Sequence, residues 1–211
     1  MQINGGSINY VNRDSDDKYI DDAKGLKCDG DTLLPISPEN GSITINGGLL
    51  TFDVGGEVSR FIRCSGDVIV NGGTINGVLN ATPFYDSTID DISYQCVIKA
   101  DGMIKMLGGS HDLTISEVSY GGRGLVADGS IIFDGGVKLN VNMACPPYYK
   151  NYDDSKKPKF GYGLKTDNDV IMNNCDVNIS SVLTANSAIP VSSYTFEVND
   201  GAKVQLISYS N

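Results

Sequence analysis

The stretch DVIVNGGTIN, residues 67–76, places apolar residues at alternate positions on both sides of a glycine pair. Val68, Val70 and Ile75 fall on one face, Ile69 and Asn71 on the other. Period-two alternation is the signature of a half-buried strand. Asn and Gly tolerate the positive φ of a sharp corner. The unit recurs. Glycine pairs stand at Gly5-Gly6, Gly47-Gly48, Gly72-Gly73, Gly108-Gly109 and Gly135-Gly136, with a degenerate copy at Asn174-Cys175. Spacings of 42, 25, 36, 27 and 39 residues rule out a fixed-length array.

A second landmark fixes the register. Seven residues before each pair from Gly47 onward stands a polar or acidic residue: Asn40, Ser65, Asp101, Asp128 or Asp167. The repeat is therefore a short aliphatic strand, an Asp-Gly turn, an alternating strand, a Gly-Gly corner, a second alternating strand and a variable loop. Three strands per unit predict an all-β fold, a three-sheet parallel β-helix of about six or seven coils, whose rungs lie about 4.8 Å apart. The segment YTFEVNDGAKVQLIS, within 194–211, is read as the last rung or a capping hairpin. The chain is expected to be a single domain, 1–211, cut from a longer protein, because it opens inside a strand motif.

In such a solenoid equivalent residues stack in columns. Leu26, Ile62, Ile98, Leu125 and Leu164 form an expected inward aliphatic column. Cys28, Cys64, Ala100, Ala127 and Thr166 form a second column of small residues. The cysteines then read as core fillers, with a Cys28–Cys64 disulfide as the alternative. Lys27, Arg63, Lys99, Val126 and Lys165 lie between these columns and point outward. Like charges stacked on one face repel. Either the neighbouring Asp29, Asp101, Asp128 and Asp167 pair with this column, or it is a stripe for anionic sugars. Stacked asparagines before the glycine pairs, Asn4, Asn46, Asn71 and Asn173, can hydrogen-bond along the axis.

The five long insertions, residues 12–24, 55–59, 80–94, 117–123 and 144–162, all follow the strand after the glycine pair. Insertions at one position of a repeat emerge on one face, often the binding face. Eight of the eleven tyrosines lie there: Tyr19, Tyr85, Tyr94, Tyr120, Tyr148, Tyr149, Tyr152 and Tyr162. A tyrosine ring can stack on a sugar or pack its loop onto the wall. Acids occur in pairs: Asp16-Asp17, Asp21-Asp22, Asp90-Asp91 and Asp153-Asp154. Calcium takes six to eight oxygens, so these pairs are candidate ligands, though no EF-hand is present.

The 26 acidic against 16 basic residues leave a net charge of -10. That disfavours nucleic acid, whose phosphates are bound by clustered Lys and Arg. No apolar run is long enough to span a membrane. His111 is the single histidine, so His-based metal clusters are excluded.

The units KGLKCDGD to SITINGGLLTF, RFIRCSGDVIVNGGTING and GRGLVADGSIIFDGGVKLNV resemble a bacterial family of carbohydrate-binding, pectate-lyase-like right-handed β-helix proteins. The likeness covers residues 25–182. It departs in the Tyr-rich insertion 144–162 and in the last unit, DVIMNNCDVNI. The resemblance implies a secreted or cell-surface protein that binds plant-type or uronate-containing polysaccharide, with calcium in the loops and no turnover. The expected ligand-binding residues are Tyr85, Tyr148, Tyr149, Tyr152, Arg63, Lys99 and Lys165. A calcium-dependent uronate lyase is the alternative, with Arg60, Arg63, Arg123, Lys99 or Lys165 as base. A structural or adhesive spacer is the third.

Overall fold

The computed structural model describes residues 1–30, 41–148, 160–183 and 188–210, with backbone alone at 182–183 and 208–210. These residues form strands and no helix. Two seven-stranded sheets and one six-stranded sheet are parallel throughout. The first sheet runs from Gln2–Ile3 through Ile43–Ile45, Val68–Val70, Ile104–Met106 and Ile131–Phe133 to Asp169–Met172 and Thr195–Val198. The second holds Ser7–Val11, Leu49–Glu57, Thr74–Thr82, Ser110–Ile115, Lys138–Met143, Asp176–Leu183 and Lys203–Ser210. The third holds Lys24–Cys28, Arg60–Cys64, Cys96–Ala100, Arg123–Ala127, Gly161–Lys165 and Ala188–Ser192. The chain visits first, second and third sheets in that cyclic order, an arrangement compatible with a parallel β-helix. Thr195–Val198 and Lys203–Ser210 extend the first and second sheets in parallel.

The register makes the columns real. Leu26, Ile62, Ile98, Leu125 and Leu164 pair in turn across the third sheet, and all are buried. Cys28, Cys64, Ala100 and Ala127 pair one residue pleat away. All five cysteines are free thiols, and all but Cys28 are buried. Phe52 and Phe61 stack at 4.9 Å between ring centroids. They fit because Gly25 and Gly77 carry no Cβ: one at Gly25 would stand 2.5 Å from the Phe52 ring, and one at Gly77 would stand 2.7 Å from the Phe61 ring.

The corner lies in the second glycine of each pair. Gly73 has φ +87°, and a Cβ there would stand 2.6 Å from the carbonyl oxygen of Gly48 one rung below. Asn46 and Asn71 precede the corner and form a directional row. Asn71 Nδ2 donates to Asn46 Oδ1 at 2.7 Å, and Asn46 Nδ2 donates to Asn4 Oδ1 at 2.8 Å. Leu107 interrupts the row. Asp134 accepts from the Gly135 amide instead, and Asn199 resumes the row by donating to Asn173.

Several boundaries differ from the sequence reading. Gly55, Gly56 and Glu57, expected in a loop, continue the strand Leu49–Glu57, and residues 80–82 continue Thr74–Thr82. Tyr162, expected in a loop, lies in the strand Gly161–Lys165, paired with Arg123. Residues 80–94, expected to be irregular, contain an antiparallel pair, Phe84–Asp86 with Asp91–Ser93. The reversal between them uses Asp90 at φ +55°, and this local turn chemistry is hidden in a stretch without clean alternation.

His111 is fully buried in an inward column between Ile75 and Leu139. Its Nδ1 accepts from the Ile75 amide at 3.1 Å, and Nε2 donates to the Gly108 carbonyl at 3.0 Å. Both ring nitrogens are occupied, so the neutral tautomer is fixed. Burial pushes its pKa below the ordinary 6.5, against smaller raising effects of the Gly108 carbonyl and Asp112.

Two outcomes are expected. Ile98→Ala empties one position of the aliphatic column and should cost about 2–5 kcal/mol in denaturant unfolding. Below pH ~6.5 the unfolded chain takes up a proton that folded His111 refuses, so stability should fall as the pH drops below that value. His111→Leu should flatten this slope in thermal midpoints measured across it; an unchanged slope would contradict the neutral buried state.

Candidate functional site

The outward column of the third sheet is paired diagonally with acids of the following turn. Lys27 Nζ lies 2.7 Å from Asp29, and Arg63 Nη2 lies 2.6 Å from Asp101. Lys99 contacts Asp101 at 3.5 Å and also pairs with Asp128. Arg63 and Lys99 thus belong to one chain of alternating charge, Arg63–Asp101–Lys99–Asp128.

A parallel column three residues earlier behaves differently. Arg60, Cys96, Arg123 and Tyr162 are stacked by register. Arg123 lies against the Tyr94 ring, Cζ 3.7 Å from its centroid, and 5.6 Å from that of Tyr162. Arg60 Nη2 donates to the Tyr94 carbonyl at 3.2 Å. The Nε atoms of both arginines are buried without a hydrogen-bond partner, and among the described residues neither guanidinium is ion-paired. Cys96 separates them in the register and is buried.

These residues surround a hollow of about 270 Å³ on the solvent side of the third sheet. Arg60, Arg123, Lys99 and Lys165 bring four cations to it, Asp128 and Asp167 two carboxylates, and Tyr94, Ile92 and Val126 apolar surface. The local balance is 4 − 2 = +2, on a chain whose net charge is -10. Burial pushes the Tyr94 phenol up to about 12, opposed by Arg123 and assisted by Tyr162, Tyr148 and Asp91. Burial also lowers Arg123 from its ordinary value, as does the neighbouring Arg60 charge to a smaller degree, against raising effects of the Tyr94, Cys96 and Tyr162 side chains. The Lys165 ammonium lies 5.2 Å from the Tyr162 ring.

The other candidate residues are dispersed. Tyr85 donates to Asp90 at 2.8 Å within the antiparallel pair. Tyr19 is pressed flat on Gly55, where a Cβ would stand 2.3 Å from the ring. It donates to Asp53 at 2.6 Å and accepts from Arg13 and Asn80. That ring fastens its loop to the wall. Tyr148 is half-buried and influences the Tyr94 phenol. Tyr149, Tyr152, Asp153 and Asp154 lie outside the described residues.

The paired acids turn to protein partners. Asp17 binds Arg13 at 3.3 Å, Asp22 pairs with Lys24, and Asp21 accepts from the Glu57 amide at 2.7 Å. Asp91 accepts from the adjacent Ile92 amide, and the amide of exposed Asp16 donates to Asp14. Among the described residues no three His, Cys, Asp or Glu side chains gather as metal ligands. No described helix is long and apolar enough to cross a membrane.

Sequence reasoning placed Lys99 and Lys165 at this hollow but gave Arg60 and Arg123 only as available bases. Their signal was recoverable. Both begin a third-sheet strand, two rungs apart, with a cysteine between. No family model matches the chain, and no curated protein or solved structure matches it.

Proposed function

We propose that the chain is a right-handed parallel β-helix of about seven coils that binds acidic polysaccharide on its third-sheet wall without turning it over. Right-handedness is supported by the strong bias of parallel crossover connections. The binding reading rests on one observation: a hollow holding two guanidiniums that have no carboxylate partner among the described residues, beside the Tyr94 ring, on a chain that is otherwise strongly acidic. A sugar offers C–H faces to tyrosine and Val126, and its acidic substituents offset the surplus charge. The repeat likeness to carbohydrate-binding β-helix proteins supports the same reading, and such a ligand places the protein outside the cell or on its surface.

Calcium is left out of this reading, because among the described residues Asp17, Asp22, Asp90, Asp21 and Asp91 meet Arg13, Lys24, Tyr85 and backbone amides. A calcium requirement would move the site to Asp153 and Asp154. Binding should be measured by calorimetry against neutral galactan and against acidic polymers, polygalacturonate and a sulfated galactan, with and without a chelator. Retention of an acidic polymer alone, in either condition, is expected. Tyr94→Ala should weaken it about tenfold, or 1.4 kcal/mol. Absence of binding to every glycan would favour a spacer, and release of an ultraviolet-absorbing unsaturated product would favour a lyase.

A further inference from the structure

Within the polysaccharide reading, on which this inference rests, the two arginines carry more information than the hollow as a whole. The described lysines that pair do so with carboxylates: Lys24 with Asp22, Lys27 with Asp29, and Lys99 with Asp101 and Asp128. Arg60 and Arg123 do not, although Asp128 and Asp167 line the same hollow. Their companions are the Tyr94 ring, the Tyr94 carbonyl and the Tyr162 ring. Two half-buried cations two rungs apart, with buried Cys96 between them, hold charge at a desolvation cost that no described protein anion offsets.

A guanidinium is more weakly hydrated than an ammonium, and it receives oxyanions through a planar fork. Its best partner in a partly apolar hollow is an anion that also parts easily with water. A carboxylate concentrates its charge on two oxygens and is strongly hydrated. A sulfate ester spreads one charge over three oxygens and stays ionised at any pH the protein meets. Three oxygens can also be shared between two forks.

We infer that Arg60 and Arg123 seat the sulfate ester of a sulfated glycan, above Cys96 and beside the Tyr94 ring. The hollow reads the sulfate on the sugar ring and binds it without a metal ion.

The test uses the full chain and three oligosaccharides of equal length: a sulfated galactan, the same galactan desulfated, and an oligogalacturonate. The sulfated form should bind about tenfold more tightly than the oligogalacturonate, unaffected by chelator, and the desulfated form should not bind. Arg123→Lys retains the charge but loses the fork and the stacked plane. It should weaken sulfate binding about tenfold or more, as should Arg60→Gln, whereas Lys138→Ala on the second sheet should leave binding unchanged. Thermal midpoints of each variant show whether it is folded; should Arg123→Lys unfold, Arg60→Gln decides. Oligogalacturonate binding as tightly as the sulfated form would overturn the sulfate assignment and leave acidic-glycan binding standing. Unchanged affinity in both arginine variants would remove the seat from these residues. If none of the three oligosaccharides binds, the polysaccharide reading falls and the sulfate seat with it.

Discussion

The parallel register governs everything else in this molecule. Strands about 4.8 Å apart put each residue directly over its equivalent in the next rung. A residue therefore meets its own kind unless the sequence varies. Inside, the repetition is favourable: Ile62, Ile98, Leu125 and Leu164 stack as a continuous apolar column. Outside it is unfavourable for charge, and the chain answers by offsetting. Arg63 and Lys99 reach past one another to Asp101 and Asp128 on the turns, so repulsion along the column becomes attraction across a diagonal.

Against that background Arg60 and Arg123 depart from the pattern. They share the third sheet with the paired column, yet among the described residues their partners are aromatic faces and a carbonyl, and no carboxylate. Arg123 lies against Tyr94, which the residues after the antiparallel pair deliver, and near Tyr162, which the next rung delivers. Scaffold and insertion meet at this point. Much of the remaining loop surface is occupied with itself, as Tyr19 on Gly55 and Tyr85 on Asp90 illustrate.

The repeat was legible because each element leaves a strict pattern. Two-residue alternation marked the strands, glycine pairs marked the corners, and equivalent positions predicted the columns that the register displays. The site was less legible. Lys99 and Lys165 stood out as members of a basic column and the flanking acids as candidate partners, but which acid meets which cation depends on how an Asp side chain reaches between adjacent rungs. Asp101 reaches both Arg63 and Lys99, which spacing along one unit does not reveal. The acid pairs are harder to read for a related reason. Adjacent aspartates in a loop point in different directions: Asp21 caps the Glu57 amide while Asp22 turns to Lys24. Convergence on a metal depends on the loop's path, which hydrophobic pattern does not encode.

The asparagine row has a consequence for which residues the corners accept. In Asn71, Asn46 and Asn4 every bond runs the same way, each amide giving a proton toward the chain's beginning. A middle member must be donor and acceptor at once. A carboxylate in place of Asn46 would set acceptor against acceptor at Asn4 and offer nothing in return. Acid is therefore at odds with any member of the row that must also donate, and is admissible where no donation is asked of it. Asp134 sits in that place: Leu107 ends the run beneath it, and its oxygen is free to take the amide of Gly135. The ladder works as a grammar with direction, in which a hydrophobic residue closes one phrase and permits a change of chemistry in the next.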